Sequence, residues 1–307
     1  MTQIAQPDQK DSVRKGFILG ISCYAMWGLL PLYFKSMSTV SPYEIVAQRV
    51  VWSAIFMMMI VLFQGELASL ISHMRNRRLM SVLTVTSVLI ALNWLIYVWA
   101  VANDHILAAS LGYFLNPLVN VALGVMVLKE KLRRGQMVAI GFALVGVVIL
   151  AFSALNTLWI SVLLALSFGI YGLLRKMTPV AGTHGLTIET LVLTPFAVVY
   201  LLFLGQNGTL HFGDELGVTT LLVLAGVVTS VPLLCFNYAA QRLPLATLGV
   251  MQYLAPSIQF LMGVLMYKEP LDDQKLMSFM LIWAGLIIFT HDALKGLRAQ
   301  AAARRTA

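Results

Sequence analysis

Ten long apolar runs divide the chain, at residues 16–34, 43–63, 79–101, 106–128, 136–152, 156–174, 186–204, 217–240, 245–267 and 275–292, with short polar stretches between them. A helix rises about 1.5 Å per residue, so about 20 apolar residues cross a hydrocarbon core roughly 30 Å thick. In lipid a segment must satisfy its own backbone hydrogen bonds, which a helix does internally. The pattern therefore predicts an all-α integral membrane protein of ten transmembrane helices. Composition agrees: 59% of the 307 residues are hydrophobic and 11% charged, against about half and a quarter in a soluble domain.

One stretch of this pattern occurs twice. Leu111-Gly112 answers Leu248-Gly249, and after a two-residue insertion Pro117, Gly124 and Lys129-Glu130 answer Pro256, Gly263 and Lys268-Glu269. Such self-similarity marks duplication. The residues that follow differ in sign: Lys131, Arg133 and Arg134 in the first copy, Pro270, Asp272 and Asp273 in the second. A fainter echo links Trp27-Gly28-Leu29-Leu30 to Tyr171-Gly172-Leu173-Leu174. A duplicated unit of five spans, an odd number, must return with opposite orientation, which the charge reversal predicts independently. The expected organisation is a cytoplasmic segment 1–15, a first five-helix repeat 16–152, an inverted second repeat 153–292 and a basic tail 293–307.

The formal net charge of +8 is distributed by side. Seventeen of the 21 Lys and Arg fall at the N-terminus, in every second connection and in the tail; Lys35, Lys268 and Lys275 fall on the other side, and Arg49 lies inside a span. The positive-inside rule then makes both termini cytoplasmic. Cations spread over separate short loops exclude a nucleic-acid surface. No cleavage pattern follows the first run, so that run is expected to stay as a span. Cys23 and Cys235 lie inside spans and are read as small apolar residues, not as a disulfide. Partners are thus a lipid bilayer and a small-molecule substrate; the oligomeric state is open, because Gly16 and Gly20 could pack helices within or between chains.

An ionisable group at the bilayer centre costs about 2.5–3.5 kcal/mol on insertion scales, so one inside a span is a candidate for function. Arg49 lies roughly 9 Å below the outer end of the second span at about 1.5 Å per residue. Glu189 lies a similar distance from the cytoplasmic end of the seventh. They occupy nearly equivalent positions in the two repeats, so inversion places them near opposite faces and they are not expected to pair. Arg49 is read as orienting anions in the outer vestibule and Glu189 as serving the inner one and carrying a coupling proton; interfacial snorkelling is the alternative for each.

Polar residues form a second set. Tyr113, Asn116 and Asn120 share one helical face, and the repeat maps them onto Gln252, Ala255 and Gln259, beside Pro117 and Pro256, each able to kink its helix. Asn93 and Tyr97 share a face of the third span, and Asn237 stands at a related place in the eighth. These are candidates for the lining of a central cavity, with interhelical hydrogen bonding as the alternative. No catalytic or metal-binding pattern is present: His73, His105, His184, His211 and His291 are scattered, and no nucleophile elbow or phosphate-binding Gly-Lys loop occurs. No cofactor is expected, and the energy source is an ion gradient such as protons, an exchanged solute or the substrate's own gradient.

The stretches NWLIYVWAVANDHILAASLGYFLNPLVNVALG (93–124), TSVPLLCFNYAAQRL (229–243), TLGVMQYLAP (247–256) and SPYEIVAQRVVWS (41–53) closely resemble the RarD subgroup of the EamA, or drug/metabolite transporter, superfamily. The resemblance implies ten helices in two inverted repeats, a bacterial inner membrane, and export of small metabolites or drugs, with a chloramphenicol phenotype attached to the subgroup. The leading expectation is a secondary transporter, not an enzyme, that exports amino-acid-like metabolites by alternating access. An importer or exchanger of the same fold, and a non-transporting receptor or intramembrane enzyme, are the competing readings.

Overall fold

The computed structural model describes residues 9–103, 105–152, 155–266 and 273–303, and among these all regular structure is helical. In chain order the elements are α1 (Gln9–Lys35), α2 (Pro42–Phe63), α3 (Leu67–Arg75), α4 (Arg77–Ala102), α5 (Ile106–Met126) and α6 (Arg134–Phe152). A 3₁₀ turn (Leu155–Thr157) leads to α7 (Leu158–Met177), α8 (Gly182–Gln206), α9 (Leu216–Ala240), α10 (Leu245–Gln252), α11 (Leu254–Leu265) and α12 (Asp273–Ala303). Among the described residues nine spans are long and apolar enough to cross a membrane, Leu245–Met262 counted as one; within α12, Leu276–Asp292 is a shorter apolar helix. Lys268, Glu269, Pro270 and Asp272, used above as repeat and charge markers, lie outside the described residues.

Two local features depart from the apolar pattern. The ninth run, read as one helix, is two: α10 ends at Gln252 and α11 begins at Leu254, with Tyr253 between them. Pro256 explains the break, because it has no N–H for the Gln252 carbonyl four residues back and its ring crowds that carbonyl. The connection after α2 holds the short amphipathic α3, whose one buried residue, Leu70, packs with Val61, Leu83, Val180 and Ile188.

The helices of the first half pack mainly on those of the second. α1 lies against α9 and α11, while α7 lies against α4 and α5. α2 crosses α8 and α9, and α8 in turn crosses α2 and α4. α5 meets α10, and α6 pairs with α12 at the side of the bundle. Each of these pairings thus has a counterpart five spans away or is its own counterpart.

Carboxylates tie the connections down at both ends. At the end where the basic loops gather, Lys129 takes a left-handed φ of 55°. The turn brings Glu130 to the start of α10, where its Oε1 accepts the Leu245 N–H (2.7 Å) and its Oε2 the Ala246 N–H (2.9 Å). An anion at a helix N-terminus satisfies orphan donors and complements the helix dipole. We expect Glu130→Ala to cost about 0.5–2 kcal/mol, the usual loss of a capping acceptor, read as a lower thermal midpoint of the purified protein; an unchanged midpoint would contradict this role. At the opposite end Glu44, fully buried, accepts the backbone N–H groups of His211 (3.0 Å) and Phe212 (3.2 Å). There too the Tyr33 hydroxyl donates to the Leu221 carbonyl.

Candidate functional site

Between the two halves, displaced toward the end opposite the basic loops, lies a cavity of about 340 Å³. Its position follows from where the lining residues sit: Phe34 near the end of α1, Arg49 two turns into α2, and Tyr97 near the end of α4. α5 contributes Tyr113 and Asn116, and the α10–α11 break contributes Gln252, Pro256 and Gln259. Breaking a helix next to a site frees polar groups to face a ligand in an otherwise apolar bundle. The Gln259 amide here donates to the Trp27 carbonyl at 3.2 Å.

Arg49 is held in a fixed orientation within this cavity. Its Nε donates to Thr229 Oγ1 at 2.8 Å. Its guanidinium stacks over the Trp94 ring, 4.5 Å from the centroid, and over Phe34 at 5.5 Å. Cation–π contact of this kind retains a cation in a poorly hydrated place while leaving its outer N–H groups to other partners. Across the cavity Tyr97 and Tyr113 meet edge to face with centroids 5.5 Å apart. Asn116, 2% exposed, presents an Oδ1 that has no hydrogen-bond partner. Among the described residues no Asp or Glu lines the cavity. One cation, one unpaired acceptor and an aromatic wall make a site suited to a carboxylate that also carries a hydrogen-bond donor.

Of the residues singled out in the sequence, Arg49, Asn93, Tyr97, Tyr113, Asn116, Gln252, Pro256 and Gln259 converge on this cavity. Asn93 spends its amide on packing, donating to the Leu164 carbonyl (2.9 Å) and Ser167 Oγ (3.0 Å). Asn120, Asn237, Pro117 and Glu189 are placed elsewhere. Asn120 is on the expected face of α5 but a turn deeper, where it donates to Gln252 Oε1 at 2.9 Å. Pro117 borders a small separate cleft with Tyr253 and Ile282.

Below the cavity an aromatic plug separates it from the basic end. Trp27, Phe168 and Phe236 are in mutual ring contact at 5.2–5.9 Å, and Tyr24, Tyr171 and Leu248 are fully buried with them. Glu189 and Asn237 lie in the polar layer beneath. Glu189, 1% exposed, accepts from Thr86 Oγ1 at 2.6 Å and faces Arg175 Nε at 3.5 Å. Asn237 Oδ1 accepts from Arg175 Nε (3.3 Å) and the Tyr171 hydroxyl (3.4 Å). Arg175 is a correction to the charge reading. The charge pattern places it among the loop cations, yet α7 runs on to Met177 and carries it fully buried into the bundle. Lys176 seals the same end, donating to the carbonyls of Ala240 (2.9 Å) and Leu243 (2.5 Å).

Two threonines escape the sequence reading, although the sequence contains the signal. Val85-Thr86-Ser87-Val88 in α4 and Val228-Thr229-Ser230-Val231 in α9 are identical tetrapeptides. Each threonine holds the charged residue of the neighbouring span, Thr86 the Glu189 carboxylate and Thr229 the Arg49 guanidinium.

Together the apolar helices and the cavity between the halves define a multi-pass membrane protein with a candidate ligand site. The chain belongs to the EamA-like transporter family, which it matches twice, over residues 14–152 and 155–290. It is 44% identical over 288 residues to an uncharacterized transporter of Pseudomonas aeruginosa, covering 94% of this chain and 97% of that one. To the protein RarD of Escherichia coli it is 41% identical over 282 residues, 92% of this chain and 95% of that one. A solved crystal structure superposes with a TM-score of 0.71 over 91% of this chain and 98% of the other, at 17% identity, a likeness of fold. The chain is accordingly a transporter of this family and not an enzyme.

Proposed function

We propose that this transporter is a secondary carrier of a bacterial inner membrane that exports small amino-acid-like carboxylates, with amphipathic drugs such as chloramphenicol as further cargo. The observation that carries the substrate reading is the pairing, in one cavity that no Asp or Glu lines among the described residues, of the Arg49 guanidinium with the unpartnered Asn116 Oδ1. A carboxylate suits the first and an amine the second.

The proposed frame is ten transmembrane helices in two inverted five-helix repeats, 16–152 and 153–292, with both termini cytoplasmic. Three observations support it: the reciprocal helix pairings, the charge reversal in the sequence after the two Lys-Glu pairs, and the equivalent threonine contacts in α4 and α9. In that frame the cavity faces outward and the aromatic plug closes the cytoplasmic side. Alternating access exchanges the roles of the two halves. Export is the direction that the resemblance to the RarD subgroup implies. Glu189, buried beneath the plug, is the proposed carrier of a coupling proton.

Uptake and counterflow in proteoliposomes test this reading, with amino acids and amphenicols offered in the presence and absence of an imposed proton gradient. Saturable flux that follows the gradient is expected of the wild type. Glu189→Gln is expected to keep exchange and lose the dependence on the gradient. A Glu189→Gln protein with full proton dependence would remove Glu189 from coupling; absence of flux across the panel would overturn the substrate class.

A further inference from the structure

We propose that Arg175 is a second anion-binding residue on the transport path, on the cytoplasmic side of the plug, and that the Glu189 carboxylate occupies it as a stand-in for the carboxylate of the substrate. This rests on the carboxylate-carrier reading above and assigns it a second site.

The first ground is the state of the guanidinium. Arg175 is fully buried, yet neither Nη1 nor Nη2 has a hydrogen-bond partner. Only Nε is engaged, shared between Asn237 Oδ1 at 3.3 Å and Glu189 Oε1 at 3.5 Å. An ion pair built only for structure is expected to satisfy a guanidinium's five donors, because a buried donor without a partner is costly. Here the fork that binds carboxylates bidentately is left over. Asn237, whose Oδ1 meets Nε, likewise has an Nδ2 without a partner.

The second ground is what covers that fork. A methyl group on Gly185 would stand 2.1 Å from Arg175 Nη1, so the guanidinium lies directly against the start of α8 at Gly185. Gly182 to Thr190 are all buried, whereas most of α8 beyond them is exposed or half-buried. The covered segment is the part that must withdraw if the path opens at the basic end. Its withdrawal uncovers the Nη groups and carries Glu189 away from Arg175, with Thr86 already bonded to the departing carboxylate.

The third ground is the correspondence between the halves. In the outer half a threonine of α9 holds a guanidinium that faces the cavity. In the inner half the equivalent threonine of α4 holds a carboxylate, and α7 supplies the guanidinium. Each half of the path therefore supplies a guanidinium. The inner one has a tethered carboxylate close to it, as a site needs when its ligand is an anion that must leave again.

The test measures the half-saturation constant at each face separately, in proteoliposomes with L-phenylalanine as the probe and insertion orientation read from protease access to an added C-terminal tag. Arg175→Gln alone leaves Glu189 buried and unpaired, so the double variant Arg175→Gln/Glu189→Gln is the informative one. It is expected to raise the cytoplasmic-face constant roughly ten- to a hundredfold, the range of a lost charged hydrogen-bonding partner, and to leave the outer-face constant within about twofold. Glu189→Gln alone, which removes the tethered competitor, is expected to lower the cytoplasmic-face constant, and Arg175→Lys to retain part of the affinity. A purely structural role would reduce the amount of active protein or move both faces together. Saturable wild-type flux with an unchanged cytoplasmic-face constant in the double variant, or with equal changes at both faces, overturns this proposal and leaves the carrier reading intact. No saturable wild-type flux overturns the carboxylate reading and this proposal with it.

Discussion

Replacing Arg49 by glutamine is expected to raise the half-saturation concentration for a carboxylate substrate at the outer face roughly ten- to a hundredfold, the range of a lost charge-assisted contact in a site shielded from water. The expectation rests on geometry. The guanidinium is fixed by Thr229 at Nε and by the faces of Trp94 and Phe34, so Arg49 lines the cavity in a set orientation. Substrate binding then spends little on ordering the side chain. The Arg49→Gln variant would keep a hydrogen-bonding group there but no charge, and no other cation lines the cavity among the described residues. Arg49→Lys should fall between, since a point charge replaces the planar fork and loses much of its stacking. The measurement is counterflow at both faces alongside the thermal midpoint. The midpoint is expected to move little, because Arg49 is half-buried at the edge of a cavity and its loss leaves no buried charge unpaired. Unchanged affinity in Arg49→Gln would place the carboxylate elsewhere.

The spans were legible because lipid imposes one rule on every residue of a segment, and about 20 residues of agreement outweigh local exceptions. Depth along a span was not legible in the same way. Tyr113, Asn116 and Asn120 share a face, as their spacing says, but a helix advances about 10 Å over seven residues. That distance takes Asn120 off the cavity lining, where its amide bonds the lining residue Gln252 instead. Hydropathy is also a poor guide to where a helix ends, and it misplaces Arg175. Beside Lys176 at the end of an apolar run this residue looks like a loop cation, yet α7 continues through it and turns it toward Glu189. Glu44 and Glu130 posed the reverse difficulty. Each stands at the mouth of a span, where an acid is unremarkable, and its partner is backbone from a segment more than a hundred residues away. No spacing rule reaches that far. The internal duplication holds more than its longest match shows: the repeated Val-Thr-Ser-Val places two threonines at equivalent positions, and each is the residue that holds a span's charge.

The other large effect expected lies at the closest approach of two helices. Gly226, in α9, faces the backbone of α2 so closely that an added methyl group would stand 2.4 Å from the Trp52 carbonyl carbon and 2.6 Å from its oxygen. Those atoms belong to a helix backbone and cannot turn aside as a side-chain tip could. Gly226→Ala must therefore push α2 and α9 apart. Close backbone approach over small residues is how helices gain packing energy in lipid, where no hydrophobic drive brings them together. Overpacking of this kind costs about 1–3 kcal/mol, and separation also strains the 3.2 Å bond from Ser53 Oγ to the Gly226 carbonyl. The damage extends to the cavity, because Thr229 is three residues along the same face of α9 and Arg49 three residues back along α2 from Trp52. Moving the two helices apart loosens the contact that orients the guanidinium. Gly226→Ala is thus expected to lower both the denaturant midpoint of the purified protein and the affinity for a carboxylate at the outer face. A protein of wild-type stability with only the affinity reduced would mean that the helices yield without cost. Unchanged values of both would mean that α2 and α9 do not approach this closely in the membrane.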